Sequence, residues 1–125
     1  MAYSTSILLI DDEPDFTEMM QMRLESRNYE VDVAHDGMTG LKKAAEGRPD
    51  IILLDIMMPE MDGFEVLRRL RQNQATKRTP VIMLTAKGDT NAIFKAQDAG
   101  ADEYIIKPCD AAKLDRLIHK HIRPY

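Results

Sequence analysis

Four short apolar runs in this chain each lead directly into a chemically reactive side chain, and no other feature limits its fold as sharply. Ile7-Leu8-Leu9-Ile10 runs into Asp11-Asp12, Ile51-Ile52-Leu53-Leu54 into Asp55, Val81-Ile82-Met83-Leu84 into Thr85, and Tyr104-Ile105-Ile106 into Lys107. Runs this short and apolar on both faces read as strands buried in a parallel sheet. In open α/β sheets the ligand site lies beyond the carboxyl ends of the strands. Three carboxylates, a hydroxyl and an ammonium are therefore expected at one rim, a constellation suited to a divalent cation and a phosphoryl group.

The segments between the runs carry helical periodicity. A first helix is expected from Pro14, which is tolerated in a first turn, to about Arg27, with Phe16, Met19, Met20 and Leu24 on its apolar face. A second strand at about 30–34 alternates Val31, Asp32 and Val33, which suits a sheet edge. A second helix follows Gly37 and stops before the breaker cluster Gly47-Arg48-Pro49. The third helix follows Gly63 with Phe64, Leu67 and Leu70 inward, and the fourth spans about 89–99, ended by Gly100. The fifth spans about 110–122, with Leu114, Leu117, Ile118 and Ile122 on one face. The strands are expected at about 6–10, 30–34, 51–54, 81–84 and 102–106. Strict β-α alternation with short loops implies one doubly wound, five-stranded parallel sheet covered by five helices.

At 125 residues the chain fits a single domain over 1–125. Its net charge of -4 argues against direct, electrostatically driven nucleic-acid binding. No apolar run approaches the roughly 20 residues that span a bilayer, and Met1–Ser6 has no basic segment of a signal peptide. A single cysteine, Cys109, excludes an internal disulfide framework and fits a reducing cytoplasm.

The rim residues define the chemistry. Two unit charges about 4 Å apart repel by roughly 4 kcal/mol at an effective dielectric near 20. Asp11, Asp12 and Asp55 therefore either share a proton or are neutralised by a cation. Oxygen ligands without histidine or cysteine favour Mg²⁺ over zinc. A carboxylate can also act as a nucleophile and form an acyl phosphate. Lys107 could then neutralise phosphoryl oxygens while the Thr85 hydroxyl donates a hydrogen bond. Taken singly, an Asp-Asp pair reads as a solvated helix cap, Thr85 as a strand-end hydroxyl and Lys107 as a surface lysine. Their coincidence at strand ends carries the reading.

The sequence resembles the receiver domain of bacterial two-component response regulators over essentially its whole length. The matching residues are Asp11-Asp12-Glu13, Asp55-Ile56-Met57-Met58-Pro59-Glu60-Met61-Asp62-Gly63, Thr85-Ala86 and Lys107-Pro108. The resemblance implies a flavodoxin-like fold with strand order 2-1-3-4-5. It implies Asp55 as the phosphoacceptor, and Mg²⁺ held by Asp12, Asp55 and the Met57 carbonyl, with Asp11 acting through water. Thr85 becomes the switch hydroxyl, Tyr104 the switch aromatic, and Lys107 the partner of the phosphoryl oxygens, with a cis bond to Pro108. The implied donor is a sensor histidine kinase or phosphotransfer protein, and the implied output is a changed partner surface. The resemblance further implies a phosphoacceptor domain that is not an enzyme and promotes only its own phosphorylation and dephosphorylation.

Two departures from the family pattern bear on this, Met57 with Lys87, and Cys109. Met57 and Lys87 flank the approach of hydrolytic water, where faster-hydrolysing relatives tend to carry polar or acidic residues, so a long-lived phosphorylated state is expected. Cys109 replaces an aromatic common in a large dimerising subgroup, so a monomer or weak dimer is expected. Nothing after Tyr125 supplies an effector, which leaves a stand-alone receiver or a piece of a longer protein. The alternative class is an aspartate-based phosphatase or phosphotransferase. Haloacid-dehalogenase-type enzymes want a second acid where Met57 stands. A flavin or nucleotide module would need a glycine- or hydroxyl-rich loop in place of Asp11-Asp12-Glu13. His35, His119, His121 and the Arg68-Arg69-Arg71 cluster read as solvated, and the nine methionines as core filler.

Overall fold

The structure is a computed structural model that describes residues 4–86 and 90–122, Thr90 by its backbone alone. Five strands alternate with five helices. They are β1 (Ser6–Ile10), α1 (Pro14–Glu25), β2 (Glu30–Ala34), α2 (Gly37–Gly47), β3 (Ile51–Asp55), α3 (Gly63–Gln72), β4 (Val81–Ala86), α4 (Thr90–Asp98), β5 (Glu103–Lys107) and α5 (Ala111–His121). The strands form one parallel sheet in the order β2-β1-β3-β4-β5, the flavodoxin-like arrangement.

Strand alternation divides the core into two layers. Leu8, Ile10, Ile52, Leu54, Val81 and Met83 pack with Ala44 of α2, Val66, Leu67 and Leu70 of α3, and Ala92 and Ala96 of α4. Ile7, Leu9, Ile51, Leu53, Ile82, Leu84 and Ile105 pack on the other face with Met20 and Leu24 of α1 and Leu114 and Ile118 of α5. Both faces of β1, β3 and β4 are therefore buried, as continuous apolar runs require. Aspartates cap three helix starts: Asp36 accepts from Thr39 N at 2.8 Å, Asp62 from Glu65 N at 3.0 Å, and Asp110 from Ala112 N at 2.8 Å. No helix among the described residues is long and apolar enough to cross a membrane.

Several expectations need correction. The strands reach further than the apolar runs. Asp55, Thr85 and Lys107 are strand residues, because ladder pairing continues through Asp55↔Leu84, Thr85↔Ile106 and Ala86↔Lys107. The fourth run is not buried on both faces. β5 is an edge strand with Tyr104 at 37% and Ile106 at 43% exposure, and the core layer on that side contains no β5 residue. α1 stops at Glu25, where Ser26 caps it and Asn28 turns into the left-handed region at φ 72°. α4 begins at Thr90, the expected Asp89 start lying outside the described residues, and Gly100 adopts φ 94° after it.

Arg71 is not a solvated member of its cluster. Its guanidinium donates to Thr79 O at 2.8 Å, Gly100 O at 3.0 Å and Asp102 Oδ2 at 3.1 Å, tying α3 to the turn before β4 and to the turn between α4 and β5. His121 is half-buried and lies 2.9 Å from Glu103 Oε2, and His35 meets Thr17 Oγ1 at 3.1 Å. Methionine use is mixed: Met20, Met58 and Met83 are buried, whereas Met22, Met38 and Met57 are exposed.

Candidate functional site

Glycine 63 sets the geometry around Asp55. A Cβ there would fall 2.4 Å from the Asp55 carbonyl oxygen and 2.8 Å from Ile56 Cα. Only a bare backbone lets the first turn of α3 press against the end of β3, where Gly63 N donates to Ile56 O at 2.8 Å. Asp55 is thereby held at 4% exposure, with Met57 N donating to its Oδ1 at 3.3 Å.

Asp11 follows β1 and is fully buried. Its backbone N–H donates to Ala34 O at 3.0 Å, and its Oδ1 accepts from Glu13 N at 3.0 Å. Asp12 is half-buried beside it. One carboxylate oxygen from each of Asp11, Asp12 and Asp55 lies within 4.8 Å of the other two. Burial, then the Asp11 charge, push the Asp55 carboxyl up to about 7, against the opposing pull of Lys107. Burial likewise raises Asp11, against its hydrogen bond from Lys107. The cluster thus carries excess negative charge in a confined space, and all its side-chain donors are hard oxygens. That donor set fits a small divalent cation.

Lys107, the last residue of β5, reaches across the rim. Its Nζ donates to Asp11 Oδ2 at 2.8 Å and Glu13 Oε1 at 2.5 Å, and lies 3.8 Å from Asp55 Oδ2. Burial pulls its pKa down, but the hydrogen bonds to Asp11 and Glu13 outweigh this and hold it above the ordinary value. The Lys107–Pro108 bond is cis, as the resemblance implied. Thr85 is buried at the end of β4, its hydroxyl 3.4 Å from Ala86 O. The register pairs Met83 with Tyr104 and Thr85 with Ile106, so Tyr104 follows Thr85's face of the sheet two residues earlier. A cavity of about 330 Å³ opens over the rim, lined by Glu13, Phe16, Asp55, Met57, Ala86, Lys107 and Pro108. Met57 is 68% exposed at its lip.

The rim therefore unites Asp11, Asp12, Asp55, Lys107 and the Met57 backbone, with Thr85 at the adjacent strand end and Tyr104 on the outer strand. Lys87 lies outside the described residues. Two participants were not singled out in the sequence. Glu13 was legible only as part of a motif. Phe16 followed the apolar period of α1 and packs against the core as that period implies, and its ring also lies 4.4 Å from the Lys107 ammonium.

A five-stranded flavodoxin-like sheet with an acidic rim, a lysine facing it and a hydroxyl on the next strand defines a class of α/β domain whose rim suits a divalent cation and a phosphoryl group. The family model of the response regulator receiver domain matches residues 7–119, and the chain belongs to that family. It is 43% identical over 119 residues to the response regulator ArlR of Staphylococcus saprophyticus, a match covering 95% of this chain and 53% of that protein. The chain thus spans about half the length of the curated relatives it matches. Chemotaxis protein CheY4 of Vibrio cholerae superposes with TM-score 0.90 at 30% identity, covering 96% of this chain and all of that one. The receiver domain of a Pseudomonas aeruginosa sensor histidine kinase superposes with TM-score 0.88 at 30% identity over 95% of this chain and 98% of that one. That structure carries a magnesium ion coordinated in its active-site cleft.

Proposed function

We propose that this receiver is switched by phosphorylation of Asp55, with a histidine kinase or phosphotransfer protein as donor. The observation that carries the reading is the buried Asp55 carboxylate packed against two further carboxylates and faced by Lys107 at 3.8 Å. An Asp55 oxygen attacks the phosphorus of the donor phosphohistidine. The P–O bond forms as the P–N bond breaks, and the imidazole leaves, taking a proton from solvent. The Asp55 nucleophile must be ionised, which its raised pKa opposes and the Lys107 charge assists.

Asp12, Asp55 and the Met57 carbonyl would hold Mg²⁺, with Asp11 contributing through water. Bound there, the ion would neutralise the carboxylates and phosphoryl oxygens. Lys107, 3.8 Å from Asp55 Oδ2, would pair with the phosphoryl oxygens, and Thr85 would donate its hydroxyl to them. The movement of Thr85 is passed to Tyr104 on the neighbouring strand, changing the partner surface. Exposed Met57 offers no group that orients water, which favours a persistent phosphorylated state; Lys87 was expected to share this role. The reading places the protein with a kinase in the cytoplasm, as a monomer or weak dimer, within a domain covering 1–125.

Incubation with acetyl phosphate and Mg²⁺, read by intact mass, tests it. One phosphoryl group per chain is expected with Mg²⁺ and none with a chelator present. A chain that remains unmodified under both conditions contradicts the proposal. An aspartate-based phosphatase would instead turn over many equivalents of an added phosphate ester, and no observed feature favours that reading.

A further inference from the structure

Lys107 is held by more than the carboxylates of the acidic cluster. Its Nζ lies 2.5 Å from Glu13 Oε1 and 4.4 Å from the centre of the Phe16 ring, both outside the Asp11-Asp12-Asp55 cluster. Glu13 is the cap residue of α1, and Phe16 is in that helix's first turn. Both line the rim cavity with Asp55, Met57 and Lys107.

We infer that Glu13 and Phe16 form a resting dock for the Lys107 ammonium, with Phe16 as a positioning residue that keeps it within reach of Asp55. This rests on Asp55 being the phosphoacceptor. An ammonium on a four-carbon stem is flexible and strongly hydrated. An aromatic face attracts it without a directional hydrogen bond, so the nitrogen can swing while staying over the ring. The two carboxylates differ in strength. Asp11 is fully buried, whereas the Glu13 side chain is 61% exposed, so water and salt screen its pair. When charge builds at Asp55, Glu13 is the contact that yields, and the Phe16 face confines the swing toward Asp55 Oδ2.

The test uses Phe16→Leu, which keeps apolar bulk, Phe16→Tyr, which keeps the aromatic face, and Glu13→Gln. The first readout is the ring-current shift of the Lys107 Hε protons by NMR. It is expected in the wild type and in Phe16→Tyr and lost in Phe16→Leu. The second is the rate of phosphorylation by acetyl phosphate with Mg²⁺. Phe16→Leu should slow it about two- to five-fold, and Phe16→Tyr should restore it. Glu13→Gln should raise the rate and flatten its dependence on salt. A Lys107 signal unchanged in Phe16→Leu, or a Tyr variant that behaves like the Leu variant, overturns the dock. Should the wild type take no phosphoryl group, the proposed function falls, while the ring-current shift still decides for or against the dock.

Discussion

Asp55 and Asp11 are carboxylates that burial pushes upward in pKa, and this has a measurable thermodynamic consequence. The Asp55 carboxyl moves from an ordinary 3.8 to about 7 in the folded chain. Between those values the folded chain holds a proton that the unfolded chain has lost, so stability falls as pH rises through the window. Asp11 contributes in the same direction. Without added metal, thermal melting should drop between about pH 4 and about pH 7 and level off above, with a slope of at most about 1.4 kcal/mol per pH unit from Asp55 alone. Asp55→Asn should melt higher than the wild type at about pH 8 and show a flatter profile, and added Mg²⁺ should recover most of the wild-type loss. Parallel profiles for the two proteins would contradict the assignment. At this scale Asp11, Asp12, Asp55, Thr85 and Lys107 were legible because each interrupts an apolar run at a strand end. Phe16 was not, because helical periodicity gives the same signal for a residue buried in the core and one whose ring faces a charge.

Two glycines show how an element can be placed for chemistry. Gly63 lets α3 close on β3, and a methyl group there would collide with the Asp55 carbonyl at 2.4 Å. Gly63→Ala should therefore cost about 1–3 kcal/mol through overpacking, despite the better helix propensity of alanine. At Gly47, the last residue of α2, an added Cβ would meet nothing within 4 Å, so Gly47→Ala should gain about 0.5–1 kcal/mol. Urea unfolding of both variants checks the contrast, and similar signs of change would refute it. The element order and types were legible from alternating periods of two and 3.6. The ends were not, because polar Asp55, Thr85 and Lys107 keep strand pairing by backbone hydrogen bonds, which hydrophobicity does not report. The burial of β5 was misjudged for a related reason. A run of apolar residues does not reveal that a strand is at the sheet edge, and α4 covers β4 with Ala92 and Ala96 while leaving Tyr104 and Ile106 exposed. The tertiary role of Arg71 was also invisible, since its acceptors Thr79, Gly100 and Asp102 are brought to it only by the fold.

Across the whole molecule, the proposed switch must link the rim to the outer sheet edge. Shifting a two-state equilibrium from 1:99 to 99:1 takes about 5.5 kcal/mol. Hydrogen bonds to a charged phosphoryl group contribute about 1.5–3 kcal/mol each, so Thr85 and Lys107 together could supply most of this. Thr85→Ala should accept the phosphoryl group yet leave the α4 and Tyr104 chemical shifts nearly unchanged on phosphorylation. A full wild-type response in that variant would break the link between Thr85 and β5. The central claim is that Asp55 is the one residue that carries the phosphoryl group. Borohydride reduction of the phosphorylated chain followed by peptide mapping tests it most directly. The account predicts one modified residue, Asp55, and no modification in Asp55→Asn; a label on Thr85, Asp62 or a histidine would contradict it.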